Sequence, residues 1–227
     1  VSLLWVYKKT MTVGEPVIRT VLRYRARIGK ENPERLGERR GIPSLPRPAG
    51  PLIWVHVASV GEAQSMLSLI ELILKQQPAV SILVTSITTT SAQLLEKRLP
   101  PRSFHQFVPV DHPDWVRRFL DHWQPDLVLW AESELWPNVL TLLKKRNTPV
   151  ALLNAHMSEK SFTNWSKAPR LAEDMLAVFM VILAQTPEDA AYYTELGGRS
   201  VVVADNIKYS AAPLPCDEDE LAALRTT

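Results

Sequence analysis

The strongest constraint on this chain is a sevenfold alternation. Apolar runs of strand length at 52–58, 80–85, 105–110, 127–131, 150–153, 180–184 and 200–204 are separated by segments whose apolar residues recur at helical spacing. Strands joined through helices pair in parallel, and the helices cover both faces of the sheet. The pattern therefore predicts an α/β fold, a Rossmann-like parallel sheet covered by helices on both faces. Helix starts are marked by Thr90-Ser91 ahead of Leu94-Leu95, by Asp111 ahead of Trp115, Phe119 and Leu120, and by Pro137. Trp115 and Trp123 read as packing residues.

In such a sheet ligands bind beyond the carboxyl ends of the strands, so polar residues there are the first site candidates. The run Trp54 to Ala58 stops at Ser59-Val60-Gly61-Glu62, and Met66, Leu67, Ile70, Ile73 and Leu74 follow at helical spacing. Two readings of Glu62 stand at this point. It completes a capping box with Ser59, or it is a general base in the first helical turn, where the macrodipole favours an ionised carboxylate.

A second turn, Trp130 to Asn138, follows the apolar Leu127-Val128-Leu129 and carries Glu132 and Glu134 two residues apart. Either one carboxylate faces the cleft and orients a sugar hydroxyl while the other caps or pairs, or the segment simply opens the next helix. A third, Asn154 to Ser161, offers Ser158 as an N-cap or, with Ser161, as a contact for a hydroxylated or phosphorylated ligand. A parallel sheet brings all three turns to one edge.

Several functions are disfavoured. The eight glycines never fall as G-x-G-x-x-G or as a Walker loop, no G-x-S-x-G elbow occurs, and the five histidines lack zinc-ligand spacing. Cys216 is the single cysteine, which excludes an internal disulfide framework and suits a reducing compartment. Asp217-Glu218-Asp219 is formally a D-x-D triplet, read here as the acidic start of a helix.

Charge is unevenly placed. Residues 1–40 hold ten Lys or Arg against four Asp or Glu, and the remainder is acidic. With Leu3, Leu4, Trp5, Val6, Val13, Val17, Ile18, Val21 and Leu22 in the same segment, the start of the chain suits an anionic bilayer surface. The alternatives are a basic helix packed on its own domain and nucleic-acid binding. No run reaches the length of a transmembrane span, and the pattern is not that of a signal peptide. The expected organisation is a basic amphipathic segment and Pro-rich connector over 1–50, a Rossmann-like domain over 51–210, and the start of a linker over 211–227.

The same stretches carry a resemblance. Glu34 to Arg39, Ala58 to Glu62, Pro109-Val110-Asp111, Glu132 to Asn138, Asn154 to Ser161, Ala184-Gln185-Thr186 and Asn206 to Tyr209 are similar, in order and spacing, to the 3-deoxy-D-manno-octulosonic acid (Kdo) transferases of lipopolysaccharide assembly. The resemblance implies the amino-terminal, acceptor-binding domain of an inverting GT-B glycosyltransferase that moves Kdo from CMP-Kdo to a lipid A precursor. It implies no metal or other cofactor and a place at the cytoplasmic face of the bacterial inner membrane; nucleic acid is not expected as a partner, since the basic charge lies outside the sheet edge and no nucleic-acid-binding motif accompanies it.

By the family pattern Glu62 resembles the catalytic base. Ser59, Gly61, Glu132, Glu134, Asn138, His156 and Ser158 resemble acceptor-binding or supporting positions. A carboxyl-terminal, donor-binding domain is expected beyond residue 210, and this chain alone is expected not to turn over. The chain departs from the family at His156, where arginine is usual, at Asp205, where glycine is usual, and at Ser210, where aspartate is common. Arginine forks onto phosphate and stays charged whereas histidine is mostly neutral at pH 7, so His156 weakens a phosphate contact. The competing functions are a non-catalytic module for glycolipid or anionic membrane and a different GT-B sugar-nucleotide enzyme such as an epimerase.

Overall fold

A computed structural model of the protein describes residues 3–131 and 134–207. Seven strands form one sheet: β1 Leu52–His56, β2 Ser81–Ser86, β3 Ser103–Phe107, β4 Leu127–Ala131, β5 Val150–Ala155, β6 Phe179–Ala184 and β7 Val201–Val203. Their order is β3-β2-β1-β4-β5-β6-β7, and every pairing is parallel. All seven expected strands are present. β3 ends at Phe107, earlier than the apolar run suggested: Val108 still donates its N–H to the Ser86 carbonyl, and Pro109 then has no N–H to continue the ladder.

Side chains alternate between two cores, as the period of a strand requires. Leu52, Trp54, Val128, Trp130, Val150 and Leu152 face one side. There they meet α5 (Pro113–Trp123), α6 (Pro137–Lys145), α8 (Pro169–Leu176) and α9 (Pro187–Glu195). Val55, Val57, Leu129, Ala131, Ala151 and Leu153 face the other, against α3 (Val60–Gln76) and α4 (Thr89–Arg98). Burial on both faces is why the central strands read as continuous apolar runs rather than alternating ones. Trp115 and Trp123 are buried core residues.

The caps explain where the helices begin. Ser59, Thr88, Ser158 and Thr186 each accept a backbone N–H of the third helical residue, for α3, α4, α7 (Glu159–Ser166) and α9 respectively. The start of α4 thus lies earlier than the Thr90-Ser91 signal. Asp111 requires a larger correction. It does not cap α5, whose N-cap is His112. Its carboxylate instead accepts the Asn138 and Val139 N–H groups at 3.0 and 2.9 Å and so caps α6.

The basic segment forms α1 (Leu3–Val13) and α2 (Glu15–Arg27), which leave Leu3, Trp5, Val13, Val17 and Tyr24 exposed. Residues 31–41 are stitched to the sheet edge. Glu38 accepts the Phe107 N–H at 2.7 Å, and buried Arg39 pairs with Glu31 at 2.9 Å while donating to the Val108 and Ile87 carbonyls. Burial pulls the Arg39 guanidinium below its ordinary pKa, opposed by Glu31. Among the described residues, no helix is long and apolar enough to cross a membrane. Cys216, the Asp217 to Asp219 triplet, Ser210 and the 211–227 segment lie outside the described residues.

Candidate functional site

The chain order reverses direction across the sheet between β1 and β4, since β1 leads through β2 to β3 on one side and β4 opens the other. This switch point is where an open α/β sheet forms its ligand crevice. The turn after β1 carries Ser59, Gly61 and Glu62, and the turn after β4 carries Glu134 and Asn138. β5, next in order, delivers His156 and Ser158. Neighbouring strands lie about 4.8 Å apart, so the three turns span roughly 10 Å of one sheet edge.

Glu62 is buried, at 4% exposure. Its N–H donates to Ser59 Oγ at 3.2 Å, and its Oε2 accepts the Ala58 N–H at 2.7 Å. The cap reading is therefore realised in geometry, one residue earlier than the usual reciprocal bond. A carboxylate held in this way has a fixed orientation at the positive end of α3, which is also what a base needs. Gly61 sits within the first turn beside the Ser59 side chain.

Glu134 is held by tryptophan. The Trp136 indole N–H donates to its Oε2 at 3.0 Å, and the Trp130 indole N–H donates to its main-chain carbonyl at 2.7 Å. Asn138 is buried and spends its side-chain amide on the Asp111 carbonyl at 2.6 Å, so it supports the turn instead of facing the crevice. Glu132 lies outside the described residues. In the third turn His156 keeps a 57% exposed side chain, with Nδ1 2.9 Å from Asp189 Oδ1. Asp189 is buried and also accepts the Met157 N–H and the Thr186 hydroxyl. Ser158 caps α7 and bonds Ser161.

Sequence reasoning passed over the floor beneath these turns. His56 is fully buried among Trp54, Trp130 and Trp136, with ring centroids 6.4, 4.2 and 5.3 Å away. Its Nδ1 lies 2.9 Å from the Thr85 hydroxyl, which also accepts the Trp54 indole N–H, while its Nε2 has no partner among the described residues. Burial, with a smaller push from Arg39, pulls the imidazole pKa down to about 3. His56 is thus a neutral wedge under Trp136, and so under Glu134. A histidine inside an otherwise apolar strand was the available signal. No group of three or more His, Cys, Asp or Glu is placed to hold a metal ion among the described residues.

Comparison with known proteins agrees with this architecture. A family model for 3-deoxy-D-manno-octulosonic-acid transferase (kdotransferase) matches residues 34–211. The 3-deoxy-D-manno-octulosonic acid transferase of Rickettsia bellii is 36% identical over 209 residues, covering 92% of this chain and 50% of that protein. That of Rickettsia felis is 40% identical over 173 residues, covering 76% and 37%. The chain thus spans about half the length, or less, of these curated relatives. Among solved structures, the UDP-GlcNAc 2-epimerase of Neisseria meningitidis bound to UDP-GlcNAc is similar with a TM-score of 0.50 at 15% identity. The match covers 78% of this chain and 51% of the epimerase. That likeness concerns the fold alone, a Rossmann-like amino-terminal domain of GT-B type. By the extent of the family match and the identity to its relatives, the chain belongs to the Kdo transferase family of glycosyltransferases.

Proposed function

We propose that this chain supplies the acceptor-binding half of an inverting glycosyltransferase that moves Kdo from CMP-Kdo to a lipid A precursor, lipid IVA, in lipopolysaccharide core assembly. The observation that carries the reading is the placement of Glu62 and Glu134 at the ends of β1 and β4, one on each side of the switch point, in a chain of this family. Glu62 takes the proton of the acceptor hydroxyl as its oxygen bonds to the anomeric carbon of Kdo. The bond from that carbon to the cytidine phosphate oxygen breaks, and the electron pair leaves with the phosphate. A phosphate leaving group needs little acid assistance whereas an alcohol nucleophile gains from a positioned base, so no metal or other cofactor enters the scheme.

Ser59 and Gly61 shape the turn that holds the base, Glu134 orients the acceptor sugar, and Asn138 fixes the turn from behind. Glu132 is assigned to the acceptor side with them, and His156 and Ser158 line the third side. The exposed apolar residues and basic charge of α1 and α2 support docking at the cytoplasmic face of an inner membrane, with anionic lipid as the partner and no nucleic acid.

Calorimetric titration of this chain in detergent micelles, with a bis-phosphorylated tetraacyl lipid A precursor and separately with a cytidine nucleotide, tests the assignment. Binding of the acceptor without the nucleotide is the expected result. Binding of the nucleotide alone would assign the chain to the donor side and remove Glu62 from the role of base.

A further inference from the structure

Helices α1 and α2 do not close flat onto the sheet edge. Between them and the loops after β2, β3 and β4 is an open cavity of about 520 Å³, within the size range of small-ligand sites. Met11, Ile18 and Val21 form its helical wall, and Ile87, Val110 and Trp136 form its loop wall. The polar groups on these walls are engaged with one another. Tyr7 bonds Asp111, and Arg25 and Arg39 both pair with Glu31, at 3.1 and 2.9 Å. Such a lining offers apolar contact to a ligand and little hydrogen bonding.

We propose that this cavity receives one hydrocarbon chain of the acceptor lipid while the hydroxyls of its sugar lie at the Glu62 and Glu134 turns. The inference rests on the acceptor reading above and adds a subsite to it. Trp136 links the two places, since its ring lines the cavity and its N–H holds the Glu134 carboxylate. A chain lying in the cavity therefore has its head beside Glu134. Val17 lines the cavity yet is 66% exposed, so the cavity opens to the surface beside an apolar side chain through which a chain can enter from a bilayer. Two guanidiniums sharing one carboxylate leave a positive excess at the Glu31 end, and Arg23 and Arg27 carry further positive charge on α2, where Arg19 is paired with Glu15. That charge selects an anionic lipid.

The test titrates this chain with the acylated bis-phosphorylated disaccharide and with its fully deacylated counterpart, which keeps both phosphates. The acylated form is expected to bind at least tenfold more tightly, and each methylene removed from the seated chain to weaken binding about fourfold. Ile18→Trp fills the cavity and is expected to abolish that advantage while leaving the deacylated affinity unchanged. A brominated dodecanoate probe supplies a measurement independent of the folding of that variant. Its quenching of tryptophan fluorescence is expected to be reduced in Trp136→Phe and retained in Trp5→Phe.

Equal affinity for acylated and deacylated ligands overturns the cavity proposal and leaves the acceptor reading standing. Binding of neither ligand overturns the acceptor reading itself. Quenching lost in Trp5→Phe and kept in Trp136→Phe places the chain on the outer face of α1 and also overturns the cavity.

Discussion

The phenol of Tyr7 donates to the carboxylate of Asp111 at 3.0 Å, across 104 residues of sequence. Asp111 uses the same carboxylate to accept two N–H groups at the start of α6. Helix α1 is thus tied through one buried acid to the helix that follows the Glu134 turn. Burial pushes the Asp111 pKa up while the Asn138, Val139 and Tyr7 hydrogen bonds pull it down.

Replacement of Asp111 by Asn turns one acceptor oxygen into a donor that faces donors, at a buried position. The expected loss is about 2–4 kcal/mol of stability. Tyr7→Phe removes a single hydrogen bond and is expected to cost about 1 kcal/mol. Urea unfolding of both variants and the double variant checks the pair, and a coupling energy near zero would separate Tyr7 from Asp111.

The strands were legible because a sheet buried on both faces demands apolar residues at nearly every position, and sequence displays that directly. Caps such as Ser59 and Ser158 were legible because their partners lie within one turn. Asp111 was misplaced because the same cue fits either a helix two residues on or one 27 residues on, and only the sheet brings Asn138 to it. Glu31, Glu38 and Arg39 counted toward the charge of the basic 1–40 segment, yet each is at most 5% exposed. Their burial depends on the Glu31–Arg39 pair, on the Phe107 N–H that Glu38 accepts and on the Val108 carbonyl to which Arg39 donates, which no local pattern reports.

Gly41 illustrates the same limit from the backbone. It was legible only as the start of a connector, but its φ is +70° and a Cβ there would lie 1.9 Å from the Trp115 carbonyl oxygen. Gly41→Ala adds conformational strain to a clash with backbone that cannot move aside. A destabilisation of about 3 kcal/mol or more is expected by thermal or urea unfolding. An unchanged unfolding midpoint would show that the 37–42 turn does not pack on α5.

Three buried histidines, His56, His105 and His112, have pKa values lowered by burial, and the first two are shifted furthest. Burial, helped by Arg39 for His56 and by Arg35 and Arg39 for His105, holds both pKa values at about 3, far below the unfolded value. Between pH 6.5 and 3 these two sites bind protons in the unfolded chain that they do not bind in the folded one, so their contribution to stability rises with pH in this window and is fully present above it. Each histidine contributes a slope of about 1.4 kcal/mol per pH unit. Unfolding free energies measured from pH 4 to 8 are expected to flatten above pH 7, and His56→Gln is expected to remove one histidine's share of the slope. An identical slope in the variant would mean that His56 is accessible to protons in the folded state.

Glu62 carries two candidate roles that one substitution separates. Its carboxylate accepts the Ala58 N–H, and a glutamine keeps an acceptor oxygen at that position, so Glu62→Gln preserves the cap. A loss of stability under about 1 kcal/mol is expected, with acceptor binding retained. An amide does not accept the proton of an alcohol, so a transferase in which these residues are joined to the remaining half of their relatives is expected to lose turnover by about 10²- to 10⁴-fold. Glu62→Ala removes cap and base together and is expected to lose both stability and turnover. Unimpaired transfer by the glutamine variant would leave Glu62 as a helix cap and place the base in another strand-end turn.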